Sequence, residues 1–182
     1  MKGENHESSS IPAWAYETVE IQASSSQWER RGLQEKKKLS TILSQFDIKE
    51  VEHIGSTAVP GLSAKPIIDV MVRVISFEKI NEIVDTLVSH DWNYVPPELD
   101  GQYWRRFFVR VEKDKRVAHL QLIQVNEIRW EEQIKFRDKL RADPSLIKEY
   151  GEIKKKLAKE YRDDRERYTR VKGDFINRVL AD

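Results

Sequence analysis

Residues 67–74 read Ile-Ile-Asp-Val-Met-Val-Arg-Val. Ile68, Val70, Val72 and Val74 recur at every second position, the period of a β-strand with one face on a core, and β-branched side chains suit that pleated surface. Ile67, Asp69, Met71 and Arg73 form the other, less apolar row. A carboxylate buried there without a partner costs several kcal/mol, on the order of 2–7 for a polar group and more for a charge, so Asp69 calls for a cation, a metal or a hydrogen-bond donor. An ion pair with Arg73, two positions on, meets that need structurally; a bound ligand or metal meets it functionally.

Helical patterns flank this strand. Trp28, Leu33, Leu39, Ile42, Leu43 and Phe46 mark an amphipathic helix over 26–46, with the Ser24-Ser25-Ser26 cluster as its cap. Ile80, Ile83, Val84, Leu87 and Val88 predict a second helix over 77–90. Short strands are expected at 18–22 and 51–54, and a hairpin joins 103–111 to 116–125 across Glu112-Lys-Asp-Lys115. After residue 126 the pattern is helical nearly throughout. The expected organisation is a polar, serine-rich arm over 1–13, an α/β core over 14–126 and a helical subdomain over 127–182. At 182 residues this is one core of ordinary size with a helical appendage.

Composition narrows the classes of function. The chain has no cysteine, which removes disulfides and thiolate metal sites and makes the cytoplasm the expected compartment. No apolar run approaches the roughly 18 residues of a membrane span, and the first ten residues have no apolar signal region. Lys and Arg number 32 against 31 Asp and Glu, a net charge of +1, which argues against a general nucleic-acid coat. An anion site on this chain has to be local.

The segment leading into the strand, His53-Ile-Gly-Ser-Thr-Ala-Val-Pro-Gly-Leu-Ser-Ala-Lys-Pro66, is where such a site is expected. Gly55 permits close approach or a positive φ, and Ser56 and Thr57 add hydroxyls and backbone N–H donors at a strand end, a combination that can hold a phosphate. Val59-Pro60-Gly61 predicts a second turn, with Pro60 at its second position and Gly61 at its third. Lys65 precedes Pro66, which holds it extended and aimed.

Gly55-Ser56, twelve residues and then an aspartate on a strand resembles the Gly-Ser and Asp-x-Asp pattern of the nucleotidyltransferase superfamily. With Phe136-RDKLRADPSLIKEYGEIKKKL-Ala158 and Tyr168-TRVKGDF-Ile176, the chain closely resembles the GrpB-like family over roughly residues 18–181. The resemblance implies an α/β (α+β) nucleotidyltransferase-like mixed sheet with flanking helices and a C-terminal helical bundle. A related domain occurs fused to dephospho-coenzyme A kinase, which adds coenzyme A-related molecules to nucleotides as expected ligands.

One departure bears on chemistry. Enzymes of that superfamily hold two divalent ions between phosphates and carboxylates, but the second carboxylate position here is Met71, a poor ligand for a hard cation. The strand expected to supply a third carboxylate, Val117-AHLQLIQ-Val125, offers His119 and Gln121 on one face and no acid. What is left is a single Mg²⁺ or Mn²⁺ held by Asp69 and substrate phosphates, or Mn²⁺ or Zn²⁺ with His119 as second ligand; the plain alternative is a core histidine bonded to a backbone carbonyl.

In the helical tail, Trp130, Ile134, Arg137 and Arg141 share helical spacing, so Arg137 borders an apolar stripe and needs an anion: Asp138, a distant carboxylate or a ligand phosphate. Lys172 lies in the stripe of Tyr168, Val171, Phe175 and Val179, as a snorkelling lysine or a phosphate contact. The lysine runs 36–38 and 154–156 read as solvated helix faces, and residues 129–182 carry 16 basic against 12 acidic residues, too small an excess for a nucleic-acid tail. The expectation is a cleft in which Gly55, Ser56 and Thr57 contact phosphate, Lys65, Arg137 and Lys172 neutralise it, and Asp69, with His119, holds a cation or orients an acceptor hydroxyl. Two classes stay open: a nucleotidyl or phosphoryl transferase, and a binding module for nucleotide or coenzyme A-like phosphates.

Overall fold

The computed structural model describes residues 20–161 and 164–181. Five strands form one mixed sheet: β1 (Val51–Ile54), β2 (Ile68–Val74), β3 (Trp92–Val95), β4 (Arg105–Glu112) and β5 (Lys115–Gln124), in the order β1-β2-β5-β4-β3. Only β2 and β5 are parallel, and their register sets Asp69 opposite His119 and Met71 opposite Gln121. The hairpin between β4 and β5 turns at Lys113 and Asp114, both with positive φ, which suits the twist of the strands it joins.

Ile68, Val70, Val72, Leu120 and Leu122 are wholly buried against α1 (Ser26–Leu43) and α2 (Ile80–Val88). Each such side chain contributes about 1.5–3 kcal/mol of burial. A one-residue slip of β2 would trade its three for Asp69, Met71 and Arg73, so the register is firmly set. Gly32 of α1 lies against His53, where any Cβ would collide with the imidazole; a larger residue would hold α1 off the sheet. Arg110 of β4 crosses to the same layer and pairs with the buried Glu35 of α1.

On the opposite face Ile54, Met71 and Ile123 pack on Trp130 of α4 (Arg129–Ala142). Helices α5 (Pro144–Glu160) and α6 (Arg165–Ala181) continue from there and close a second core of Val59, Leu62, Leu140, Tyr150, Phe175 and Val179. Tyr150 and Phe175 stack with centroids 4.7 Å apart. The segment 53–63 is thus clamped between the sheet and the C-terminal helices.

Most expected elements are present, with corrections. Ser25 caps α1 by accepting from the Gln27 N–H, and the helix tightens to a 3-10 turn at Ser44–Phe46. The strand expected at 18–22 is reduced to a bridge of Gln22 with Ala64, its first two residues lying outside the described ones. The arm over 1–13 also lies outside them. The second helix begins at Ile80 and ends at Val88, releasing room for β3, which the sequence reading had not separated; a four-residue helix, α3 (Pro97–Asp100), follows it.

Candidate functional site

Gly55 stands at φ 71° and ψ −170°, a region open to glycine alone. It is also tightly covered: a Cβ there would lie 2.7 Å from Asp69 Oδ2. The next residues, Ser56–Ala58, form a 3-10 turn in which Ala58 and Val59 donate to Gly55 and Ser56 carbonyls. The N–H groups of Ser56 and Thr57 precede that ladder. The second turn closes as expected, with Leu62 N–H donating to Val59 O at 3.2 Å, Gly61 at φ 83° and its N–H on Ser24 Oγ.

Thr57 is buried. Its hydroxyl donates to Ile67 O at 3.0 Å and accepts from His53 Nε2 at 3.0 Å, so the expected phosphate contact through its side chain is replaced by an internal pin that holds the turn. Since the hydroxyl proton is used, His53 is the Nε2–H tautomer. Burial pushes His53 down to about 4, against the pull of Asp69 and with the help of Arg141, Arg137 and Lys36.

Across the parallel strands His119 Nδ1 donates to Asp69 Oδ1 at 2.9 Å. The carboxylate accepts only, so Nδ1 carries a proton, and Nε2 is the ring nitrogen on the far side from Asp69. That nitrogen and Gln121 Oε1, two residues on along the same face, are buried and find no hydrogen-bond partner among the described residues. Phe107 meets the imidazole edge-on at 5.2 Å. Asp69 and His119 are therefore brought together as expected. The metal expectation fares differently. Met71 is fully buried in the second carboxylate position, Gln121 is opposite it, and among the described residues no group of three or more His, Asp or Glu gathers to hold an ion. With Met71 in the second carboxylate position and Asp69 bonded to an imidazole, the described residues do not complete the two-metal cage of the superfamily.

The C-terminal helices reach the turn with three cations. Arg137 is buried, and it donates to Glu52 at 2.8 Å, Asp138 at 2.8 Å and the His53 carbonyl at 3.0 Å. Burial opposes its charge, but the two carboxylates outweigh this and hold it above its usual range. Its need for an anion is met inside the protein, which removes it from the expected phosphate contacts. Arg141 donates to Ala58 O at 2.9 Å. Lys154 of α5 is 2% exposed and donates to Ser56 Oγ at 2.8 Å and to Ser63 O.

Lys154 was read as part of a solvated lysine run, and only Lys155 and Lys156 are solvated. The missed signal was position: Tyr150, Lys154 and Leu157 fall four and three residues apart, on one buried stripe. Burial, reinforced by nearby Lys172 and opposed by Asp69, lowers Lys154 to about 7. Lys172 is half-buried on α6, its ammonium 5.7 Å from the Tyr168 ring. Burial raises both buried phenols, with Tyr168 pushed up to about 12, so neither supplies negative charge to the cluster. Lys65 is half-buried in the segment between the Gln22–Ala64 bridge and β2.

A family model described as GrpB protein matches residues 18–182. The chain belongs to the GrpB family. It is 33% identical over 158 residues to the glutamate-rich protein GrpB of Alkalihalophilus pseudofirmus, covering 86% of this chain and 90% of that protein. It is 32% identical to YqkA of Bacillus subtilis over 87% of this chain, but spans only 45% of that longer protein. The conserved protein GrpB from Enterococcus faecalis has a similar structure, with a TM-score of 0.78 at 28% identity over 89% of this chain and 98% of that one. Two more distant structures share the fold alone. The Cid1 poly (U) polymerase bound to MgATP matches with a TM-score of 0.51 at 12% identity over 78% of this chain and 44% of its own, and the GLD-2/RNP-8 complex with 0.53 at 15% over 87% and 59%. The GrpB chain is nucleotidyltransferase-like in fold, and among its described residues no helix is long and apolar enough to cross a membrane.

Proposed function

We propose that this protein binds a phosphate-bearing small molecule, a nucleotide or coenzyme A-related compound, between the Gly55–Thr57 turn and helices α5 and α6. The observation that carries the reading is the Lys154 ammonium buried beside Ser56, with Lys172 close enough to depress it and Asp69 across the cluster. A buried lysine disfavoured by its surroundings gains most from an anion. In this reading Gly55 lets the phosphate approach, Ser56 and Thr57 offer backbone N–H groups, and Lys65, Lys154 and Lys172 supply charge. The small net charge of the chain and the local character of the cluster favour a small molecule over nucleic acid. A thermal-shift panel of nucleotides, coenzyme A precursors and inorganic phosphates tests it: a ligand at 100 times its Kd adds about 2.7 kcal/mol. No shift with any of them refutes the proposal.

The hydrogen bond of His119 to Asp69 favours a second reading, transfer of a nucleotidyl or phosphoryl group to a small acceptor. Asp69, partly exposed and oriented by His119, is the acceptor for a hydroxyl proton in this reading. The acceptor oxygen forms the new P–O bond, its proton passes to the Asp69 carboxylate, and the old P–O bond breaks with its electron pair on the leaving phosphate. Turnover of labelled nucleoside triphosphate that is lost in Asp69→Asn while binding persists would support transfer; binding without turnover in the wild type leaves the binding module.

A further inference from the structure

We propose that the cleft takes its phosphate without a divalent cation, and that a proton taken up by Lys154 supplies the charge a metal would bring. The inference rests on the phosphate-binding reading above and deepens it by naming the ionic form of the ligand.

The donor set comes first. In the face that would carry a two-metal site, the positions beside and across from Asp69 are Ile54, Met71, His119 and Gln121, the carboxylate of Glu52 across from Met71 is taken up by Arg137, and Asp69 Oδ1 is already engaged by His119. Positive charge must therefore come from the protein. Arg137 and Arg141 are spent on Glu52, Asp138 and the carbonyls of His53 and Ala58. The other cations assigned to the cluster are Lys65, Lys154 and Lys172.

Lys154 is built to change its charge. Its two strong partners, Ser56 Oγ and the Ser63 carbonyl, are both uncharged. A neutral amine has two N–H bonds, and these two acceptors satisfy them; protonation adds a third N–H that needs an acceptor of its own. The groups that face Lys154 do not supply an anion to pair with it directly. From its own helix comes the Tyr150 ring, 4.7 Å from Nζ; from α6 come Lys172, which repels it, and the neutral phenol of Tyr168; from β2 comes Asp69, which attracts it at longer range and is shared with His119. From α4, Arg141 lies on the Ala58 carbonyl. A phosphate entering over Ser56 provides the missing acceptor and offsets the repulsion from Lys172. Binding and protonation then favour one another by linkage.

Isothermal titration with ATP and with inorganic pyrophosphate, in excess EDTA or in excess Mg²⁺ and in two buffers of different ionisation enthalpy, tests this. At pH 8 we expect binding in EDTA that Mg²⁺ does not strengthen, with close to one proton taken up per ligand beyond that in Lys154→Met. The wild-type Kd should weaken about tenfold per pH unit above the apo value of Lys154, as expected when only the protonated form binds. Lys154→Arg, with a permanent charge, should lose that pH dependence, which checks the assignment if Lys154→Met no longer binds. Binding that requires Mg²⁺, or binding in EDTA with no proton uptake traceable to Lys154, overturns the inference and leaves the phosphate reading intact. Absence of binding in both media refutes the phosphate reading and this inference with it.

Discussion

Replacing Gly55 by alanine separates two effects that meet at one atom. The backbone there, φ 71° and ψ −170°, is in a glycine-only region, and an alanine held in it costs roughly 1–3 kcal/mol. The added Cβ also lands 2.7 Å from Asp69 Oδ2, closer than real Cβ contacts come, so the carboxylate has to move and its 2.9 Å bond from His119 suffers. A hydrogen bond to a charged group is worth about 1.5–3 kcal/mol, less here because Asp69 is partly exposed. Gly55→Ala should therefore lose about 3 kcal/mol in all, or roughly 6–12 °C of Tm in a domain of this size. Asp69→Ala removes the obstacle and the bond together, but leaves the backbone strain. The double variant should accordingly be less destabilised than the sum of the singles by about 1–2 kcal/mol, which urea unfolding followed by tryptophan fluorescence can resolve provided the m-values agree. Strict additivity, or a Gly55→Ala loss below about 0.5 kcal/mol, would refute the claim that Gly55 is glycine because Asp69 lies over it.

Three other outcomes follow from buried charges. His53 ordinarily titrates near 6.5 and is held at about 4 in the fold, so between those values the unfolded chain binds the extra proton. Its contribution is intact above pH 6.5 and falls away as pH drops towards 4, by on the order of 3 kcal/mol; His53→Asn should lose that much less unfolding free energy over the same interval, and equal losses would contradict the assignment. Lys154, lowered from 10.5 to about 7, burdens the fold below pH 7 and relieves it as pH rises from 7 to 10.5. Lys154→Met should raise the unfolding free energy at pH 7, by on the order of 1–3 kcal/mol after the two lost hydrogen bonds, with the gain fading by pH 10; a net loss at pH 7 would show that the clamp outweighs the burial. Arg137→Met should cost about 1–3 kcal/mol, because the His53 carbonyl loses its donor, while the partly exposed Glu52 keeps its ion pair with Lys36. A loss under 1 kcal/mol in denaturant unfolding would mean that water replaces it.

Much of this fold is written in local pattern. The alternation of Ile68 to Val74, the serine cluster before α1 and the Val-Pro-Gly turn each reappear in the structure because each depends on neighbours in sequence. β3 escaped because only Trp92 of its four residues is buried, and an amphipathic helix pattern runs almost up to it. At the site, the pairing of Asp69 with His119 depends on a parallel register between strands fifty residues apart, which no local signal encodes. Arg137 shows the same division. Asp138, its sequence neighbour, was visible as a partner, whereas Glu52 is 85 residues away. Lys154 was hidden differently: a run of three lysines suggests solvent, and only the tyrosine and leucine on its stripe say that one of them turns inward.

The grip of Arg137, Arg141 and Lys154 on the carbonyls of residues 53, 58 and 63 bears on how this protein can be recombined. A loop transplanted between two family members would arrive with its carbonyls facing another protein's helices, and a helix pair transplanted alone would bring buried cations with no oxygen to meet. Exchange between relatives should therefore succeed only for cassettes that carry 53–63 and 137–154 together, so that the crossover points fall before residue 53 and after residue 154, and none falls in the chain between the turn and the helices that hold it.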